Sequence, residues 1–296
     1  MHSNFCGGLV IAWRLSKGRK ARNLFSTIDE AIRSAWDGLV TPPLAERREL
    51  AQELKGAVGR GEIFAEYQPQ ADLETGGIVG AEALMRWRHP QLGIVPPSNF
   101  IPLAEDSGLI HELGLFMLDE GFQCAADWAD RGIPLSISVN VSPVQLRDDA
   151  VVAHIAAIPE RHRLAAGSVI IEVTESLPHE DLPGVVARLG ELRELGLGVS
   201  IDDVGAGHAT LDLVKVLPAT EVKLDLSLLQ QHTPTAYDTM TEIIAAVRPR
   251  DITVVAEGIE TIGQLYRARD LGCARGQGYL IGRPMACEDL ERLLKI

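Results

Sequence analysis

The chain is short of several residue types and patterns, and each shortage closes off a class of protein. Only 4 cysteines occur in 296 residues, at Cys6, Cys124, Cys273 and Cys287. They make no CxxC pair, so neither a disulfide frame nor a zinc site is expected, and they read as free thiols of a reducing, cytoplasmic compartment. Basic residues are outnumbered, 28 to 41, leaving a formal net charge of -13. Such a surface repels a polymeric nucleic acid. A small phosphate ligand stays open, because bound cations can reverse the local sign. No apolar run approaches the roughly 20 residues of a membrane span. The apolar stretch from Gly7 to Trp13 is short and its basic residues follow it, whereas a secretory signal carries them in front. No GxGxxG follows any strand-like run, which argues against a dinucleotide-binding doubly wound sheet.

What is present is ordinary globular material: 46% hydrophobic and 23% charged residues, enough for one large domain or two small ones. Residues 1–43 differ from the rest. RLSKGRKARN is basic, and in LFSTIDEAIRSAW Thr27 and Glu30 could form a capping box before Pro42 and Pro43 stop the helix. This part is expected to be an extension, partly helical or disordered, and 44–296 the functional domain. From Leu44 an amphipathic helix, LAERRELAQELKGAVGRG, ends at glycine. Short β-rich runs then alternate with helical stretches: 64–68, 78–87, 135–140, 169–173, 198–202, 221–225, 252–257 and 278–281. That alternation predicts an α/β fold, a (β/α)8 barrel of the TIM type with parallel strands.

Polar residues recur at the ends of the apolar runs: Asn140, Glu172, Asp202 with Asp203, Lys223 and Glu257, with Glu82 inside AEAL. A single strand-end polar residue is ordinarily a turn or a helix cap. Six in register fit a barrel whose strand ends meet at one face. Five carboxylates around one pocket cannot all stay ionised without counterions. Their oxygens and the Asn140 amide oxygen form a hard donor set, suited to Mg²⁺ or Mn²⁺, and no histidine falls among them to suggest zinc. Adjacent strand residues point to opposite faces. Asp202 and Asp203 can therefore share a pocket only where the strand ends and the backbone turns. One could then bridge two cations while the other binds one, a usual device for phosphodiester hydrolysis.

The stretches YQPQADLETGGIVGAEALMRW, VPPSNFIPLAEDSGLI, SVNVSPVQL, IEVTES, IDDVGAGHATL, VKLD, VVAEGIET and GCARGQGYLIGRP, in this order, resemble the EAL family of cyclic di-GMP phosphodiesterases. The resemblance implies a TIM-like barrel that hydrolyses cyclic di-GMP to linear pGpG with two ions, Mg²⁺ or Mn²⁺, and a homodimer. It implies Glu82, Asn140 and Glu172 as ligands of one metal, Asp202 as the bridge, and Asp203 and Glu257 as ligands of the other. Lys223 would hold the attacking water and Gln277 its network. Gln68 and Arg86 would contact substrate, and Glu175 and Glu260 would brace the ligands from behind. The family's DDFGTGYSSL loop reads here Asp202-Asp203-Val204-Gly205-Ala206-Gly207-His208-Ala209-Thr210-Leu211, and Ala274 stands where an aspartate is usual. Two other readings remain open: a catalytically silent module that binds cyclic di-GMP or a protein, and a metal-dependent barrel enzyme acting on a sugar phosphate.

Overall fold

The structure, a computed structural model, describes residues 44–162, 164–174, 182–205, 210–231 and 233–294. The expected N-terminal extension with Thr27 and Glu30, Cys6, Glu175, and the loop residues Ala206, Gly207, His208 and Ala209 lie outside the described residues.

Eight strands close into a barrel. They are β1 (Ile63–Asp72), β2 (Ile78–His89), β4 (Ser136–Asn140), β5 (Val169–Thr174), β6 (Gly198–Val204), β7 (Glu221–Leu224), β8 (Thr253–Ala256) and β9 (Arg275–Gln277). Their order is β1-β9-β8-β7-β6-β5-β4-β2, and pairing of β1 with β2 shuts the ring. The short β3 (Gly93–Val95) hangs on β2 as a hairpin. Helices α1 (Leu44–Leu54), α2 (Pro97–Ser107), α3 (Ile110–Asp130), α4 (Pro143–Leu146), α5 (Asp149–His162) and α6 (Leu182–Glu194) accompany the first half. The second half carries α7 (Thr210–Val216), α8 (Leu226–Gln230), α9 (Pro234–Val247), α10 (Ile262–Leu271) and α11 (Cys287–Leu293). Among the described residues no helix is long and apolar enough to cross a membrane.

The barrel agrees with the sequence pattern but corrects it in two places. β1 runs antiparallel to both neighbours, so the sheet is not wholly parallel. Only five residues separate β1 from β2, too few for a crossover. The Asp72 carboxylate ties them into a turn by accepting from the Thr75 backbone N–H at 2.7 Å and from the Thr75 hydroxyl at 2.8 Å. The last strand is Arg275–Gln277, not 278–281. There the chain turns away because it crosses the backbone of Ile259: a Cβ on Gly278 would sit 2.2 Å from the Ile259 nitrogen. Backbone cannot yield as a side chain does, so Gly278→Ala is expected to lower unfolding free energy by at least about 1–3 kcal/mol. Urea denaturation measures this, and an unchanged midpoint would contradict the crossing.

The strands alternate as their sequences do. Ile137, Val139, Ile171, Val173, Val199, Ile201 and Val222 are buried in one apolar cluster with residues of the surrounding helices. Gly121 lets α3 lie close on β4, since a Cβ there would be 2.5 Å from a Val139 methyl. Residues two apart, such as Ser138 and Asn140 or Glu221 and Lys223, take the other face and line the lumen. Val204, at the departure from the family loop, is fully buried in the apolar cluster. Local caps fix the helices. Ser142 with Gln145 and Thr261 with Gln264 make capping boxes, and Gly108 and Gly272 end α2 and α10 in left-handed conformations.

Candidate metal centre

The lumen ends in a cluster of charge around one ammonium group. Lys223 is fully buried on β7. Its Nζ lies 3.0 Å from Glu82, 3.2 Å from Glu172, 3.2 Å from Asp202 and 2.8 Å from Glu257. Those carboxylates come from β2, β5, β6 and the end of β8, distant in sequence and joined by barrel closure. An ammonium has three N–H donors, so it cannot serve four carboxylates. Glu172 Oε1 is buried with no hydrogen-bond partner, and Asp202 Oδ1 receives no aligned donor despite its ion-pair distance.

Asp203 joins them through its backbone. It takes φ 59°, left-handed for a non-glycine residue, and the β6–β7 pairing slips between Ile201 and Val204. The bulge turns consecutive carboxylates toward one pocket, as the sequence required. Two overlapping acidic groups result: Glu82, Glu172 and Asp202, then Asp202, Asp203 and Glu257. In each, one oxygen per residue lies within 4.8 Å of the others. Asp202 belongs to both. Asn140 stands beside the first group, where its amide nitrogen donates to Glu82 Oε1 at 2.7 Å.

The electrostatics show a site short of positive charge. Burial, then repulsion from Glu82, pushes the Glu172 pKa well upward, with Lys223 opposing. Burial also raises Asp202, Asp203 to about 6, and Glu257 to about 8. Glu82 is the exception. Burial opposes its ionisation, but Lys223 and hydrogen bonds from Gln277 and Asn140 outweigh that and hold it down. Five carboxylates facing one ammonium, all-oxygen donors and an orphaned Glu172 oxygen fit a pair of hard divalent cations.

A pH dependence follows. An acid whose folded pKa is raised stabilises the fold below its unfolded value near 4, and that contribution is lost as pH rises through the folded value. For Asp203 the loss falls between about pH 4 and 6, and for Glu257 between about pH 4 and 8. Metal-free protein is therefore expected to melt several degrees lower at the top of that window. Mg²⁺ or Mn²⁺ should flatten the decline. Calorimetry with and without chelator measures both, and a Tm that rises with pH in chelator would contradict the assigned charges.

A cavity of about 350 Å³ opens beside the cluster, lined by Glu82, Arg86, Asn140, Asp202 and Asp203, with Pro97, Met117 and Pro143 among its apolar walls. Arg86 reaches it while paired to Glu66 at 2.8 Å. Gln277 donates to Glu82 at 2.6 Å and to Gln68 at 3.1 Å, so the two glutamines join the centre to β1. Glu260 belongs to neither acidic group. Its backbone N–H bonds Gln264 at 2.9 Å in the cap of α10.

Sequence reasoning missed two supports. Gln70 is fully buried and donates to Gln277 Oε1 at 3.0 Å, which fixes the amide so that its nitrogen faces Glu82. Glu66 orients Arg86. Both are legible afterwards, because each lies two residues along β1 from Gln68 and shares its face.

The family model for the EAL domain matches residues 51–284. A cyclic di-GMP phosphodiesterase of Pseudomonas aeruginosa is 37% identical over 261 residues, covering 86% of this chain and 44% of that protein. Cyclic di-GMP phosphodiesterase RocR of the same organism is 35% identical over 248 residues, covering 82% of this chain and 62% of RocR. The chain thus spans less than two thirds of these curated relatives. Among solved structures, the PaMucR phosphodiesterase in complex with cyclic di-GMP superposes with TM-score 0.77 at 37% identity, over 82% of this chain and 99% of that one.

Proposed function

This chain belongs to the EAL domain family, and from that premise we propose that it hydrolyses cyclic di-GMP to linear pGpG at a centre for two divalent cations. The observation that carries the reading is the pair of acidic groups sharing Asp202. Glu82, Asn140, Glu172 and Asp202 would hold one cation, and Asp202, Asp203 and Glu257 the other. The cations, Mg²⁺ or Mn²⁺, would neutralise the phosphate oxygens and make a bound water acidic enough to attack at neutral pH.

The chain's own residues do the rest. Arg86 offers a guanidinium at the cavity wall, suited to a phosphate oxygen, and Glu66 holds it in place. Gln68, held beside the centre by the Gln277 amide that donates to its oxygen at 3.1 Å, would contact the substrate from β1. Lys223 is buried among the carboxylates, and once cations take up some of their charge it would have a donor for a water or a developing charge. Gln277, locked by Gln70, keeps Glu82 oriented. One phosphorus–oxygen bond to a ribose 3′ oxygen breaks, and that oxygen leaves with a proton.

Incubation with cyclic di-GMP and Mn²⁺, followed by chromatography, tests the reading. Formation of pGpG that stops on chelation is expected. Tight binding with no turnover under saturating metal would replace the enzyme by a receptor. We also propose that Glu260 and Glu175 brace the loops behind the centre, and that the chain pairs as a homodimer.

A further inference from the structure

Two cysteines separated by 163 residues meet in the fold. Cys124 on α3 and Cys287, the first residue of α11, have their sulfurs 3.4 Å apart. A disulfide is about 2.05 Å long, so closure needs a shift of roughly 1.4 Å shared by two side chains. Cys124 is buried beside the Tyr67 hydroxyl, while Cys287 is half-exposed. The third described cysteine, Cys273, is buried, with no such partner among the hydrogen bonds of the described side chains.

We propose that Cys124 and Cys287 form a dithiol modification site at which hydrogen peroxide drives reversible disulfide closure. Cys287 is the attacking sulfur and Cys124 the resolving one. The Cys287 thiolate attacks one peroxide oxygen, the O–O bond breaks, and a sulfenic acid and hydroxide form; the hydroxide takes up a proton as water. Cys124 sulfur, giving up its proton, then attacks the Cys287 sulfur, and the sulfenic oxygen leaves as water. Two thiols and one peroxide become one disulfide and two waters.

The environment supports this order. The hydrogen bond shared with Cys124 holds the Cys287 thiol below its ordinary range, against burial and the nearby Glu291, Glu288 and Asp127. The same bond, with burial, raises Cys124. Burial pushes Cys273 up to about 12, which leaves it unreactive. The bond would also tie down a strap. Just before α11 the chain runs beside β1: Tyr67 and Met285 exchange backbone hydrogen bonds at 2.7 and 3.0 Å, and the Gln68 amide donates to Gly282 at 3.2 Å. A staple from α3 to α11 fixes this strap against the strand that carries Gln68. The inference does not depend on the proposed reaction.

Brief treatment of the full chain with hydrogen peroxide, alkylation and non-reducing peptide mapping tests it. A Cys124–Cys287 cross-linked peptide is expected, with a mass loss of about 2 Da. Tm should rise, and dithiothreitol should reverse both changes. Cys287 should be consumed at least ~10-fold faster than Cys273. In Cys124→Ser the reaction should stop at a dimedone-trapped sulfenic acid on Cys287, and in Cys287→Ser the Cys124 thiol should survive. If either variant fails to fold, the map of the parent protein decides alone. Recovery of Cys124 and Cys287 as unmodified thiols, or linkage of either to another cysteine, would overturn the proposal.

Discussion

Asp202→Asn is expected to lower turnover of cyclic di-GMP by about 10³-fold or more, the largest loss for any single carboxylate of the centre. Asp202 is shared by both acidic groups, so on the proposed reading its charge would serve two cation positions rather than one. Loss of one electrostatic group aimed at developing charge costs about 10²–10³ in rate, and here the same change weakens two sites. Glu257→Gln removes a carboxylate from the second group only and should cost less. Metal stoichiometry measured by equilibrium dialysis should fall from two to one or none in Asp202→Asn. The same substitution should leave the metal-free protein as stable as the parent or more so near pH 8. Burial, with the charge of Glu82, outweighs the attraction of Lys223 and opposes ionisation of Asp202, so neutralising it relieves more than it loses. Lost activity with retained or raised Tm separates a ligand from a structural residue. Parent-like turnover in Asp202→Asn would remove the bridge.

Lys223→Met should have the opposite effect on stability. The lysine is the ammonium that reaches Glu82, Glu172, Asp202 and Glu257, and all four lie within 3.2 Å of it. Removing one partner of a buried ion pair costs about 3–5 kcal/mol, because the remaining charge stays buried. The loss should be largest in metal-free protein near pH 8. It should shrink as the solution is acidified and the carboxylates take up protons, or as divalent cations supply the missing charge. Turnover should fall as well, by about 10²-fold or more, since the variant lacks the ammonium at the heart of the site. Urea unfolding at two pH values measures the stability change. A metal-free variant as stable as the parent at pH 8 would mean that Lys223 does not neutralise the cluster.

Much of the centre could be read from the chain because barrel geometry turns a sequence pattern into a place. Asn140, Glu172, Lys223 and Glu257 each end a run of apolar β-formers, and in a closed barrel such ends meet. The Asp202-Asp203 pair required a break in the strand, and the structure supplies a bulge with Asp203 left-handed. The reversal of β1 was also within reach, because the nine residues between the runs 64–68 and 78–87 are too few to cross a sheet. Other features depend on tertiary contact and leave no periodic mark. Gln70 holds Gln277 across 207 residues, and the sulfurs of Cys124 and Cys287 meet across 163. The final strand was misplaced because GYLI has the composition of a strand, while the crossing of Ile259 at Gly278 stops pairing there. Local preference was overruled by a backbone contact that only the closed barrel creates.

The central claim is that two acidic groups, joined by Asp202, hold two hard cations side by side. Anomalous diffraction at the manganese edge from crystals equilibrated with Mn²⁺ tests it most directly. Two peaks roughly 3.5–4 Å apart are expected, one against Glu82, Asn140 and Glu172, the other against Asp203 and Glu257, with Asp202 between them. A single peak, or manganese bound elsewhere with these carboxylates unligated, would contradict the account.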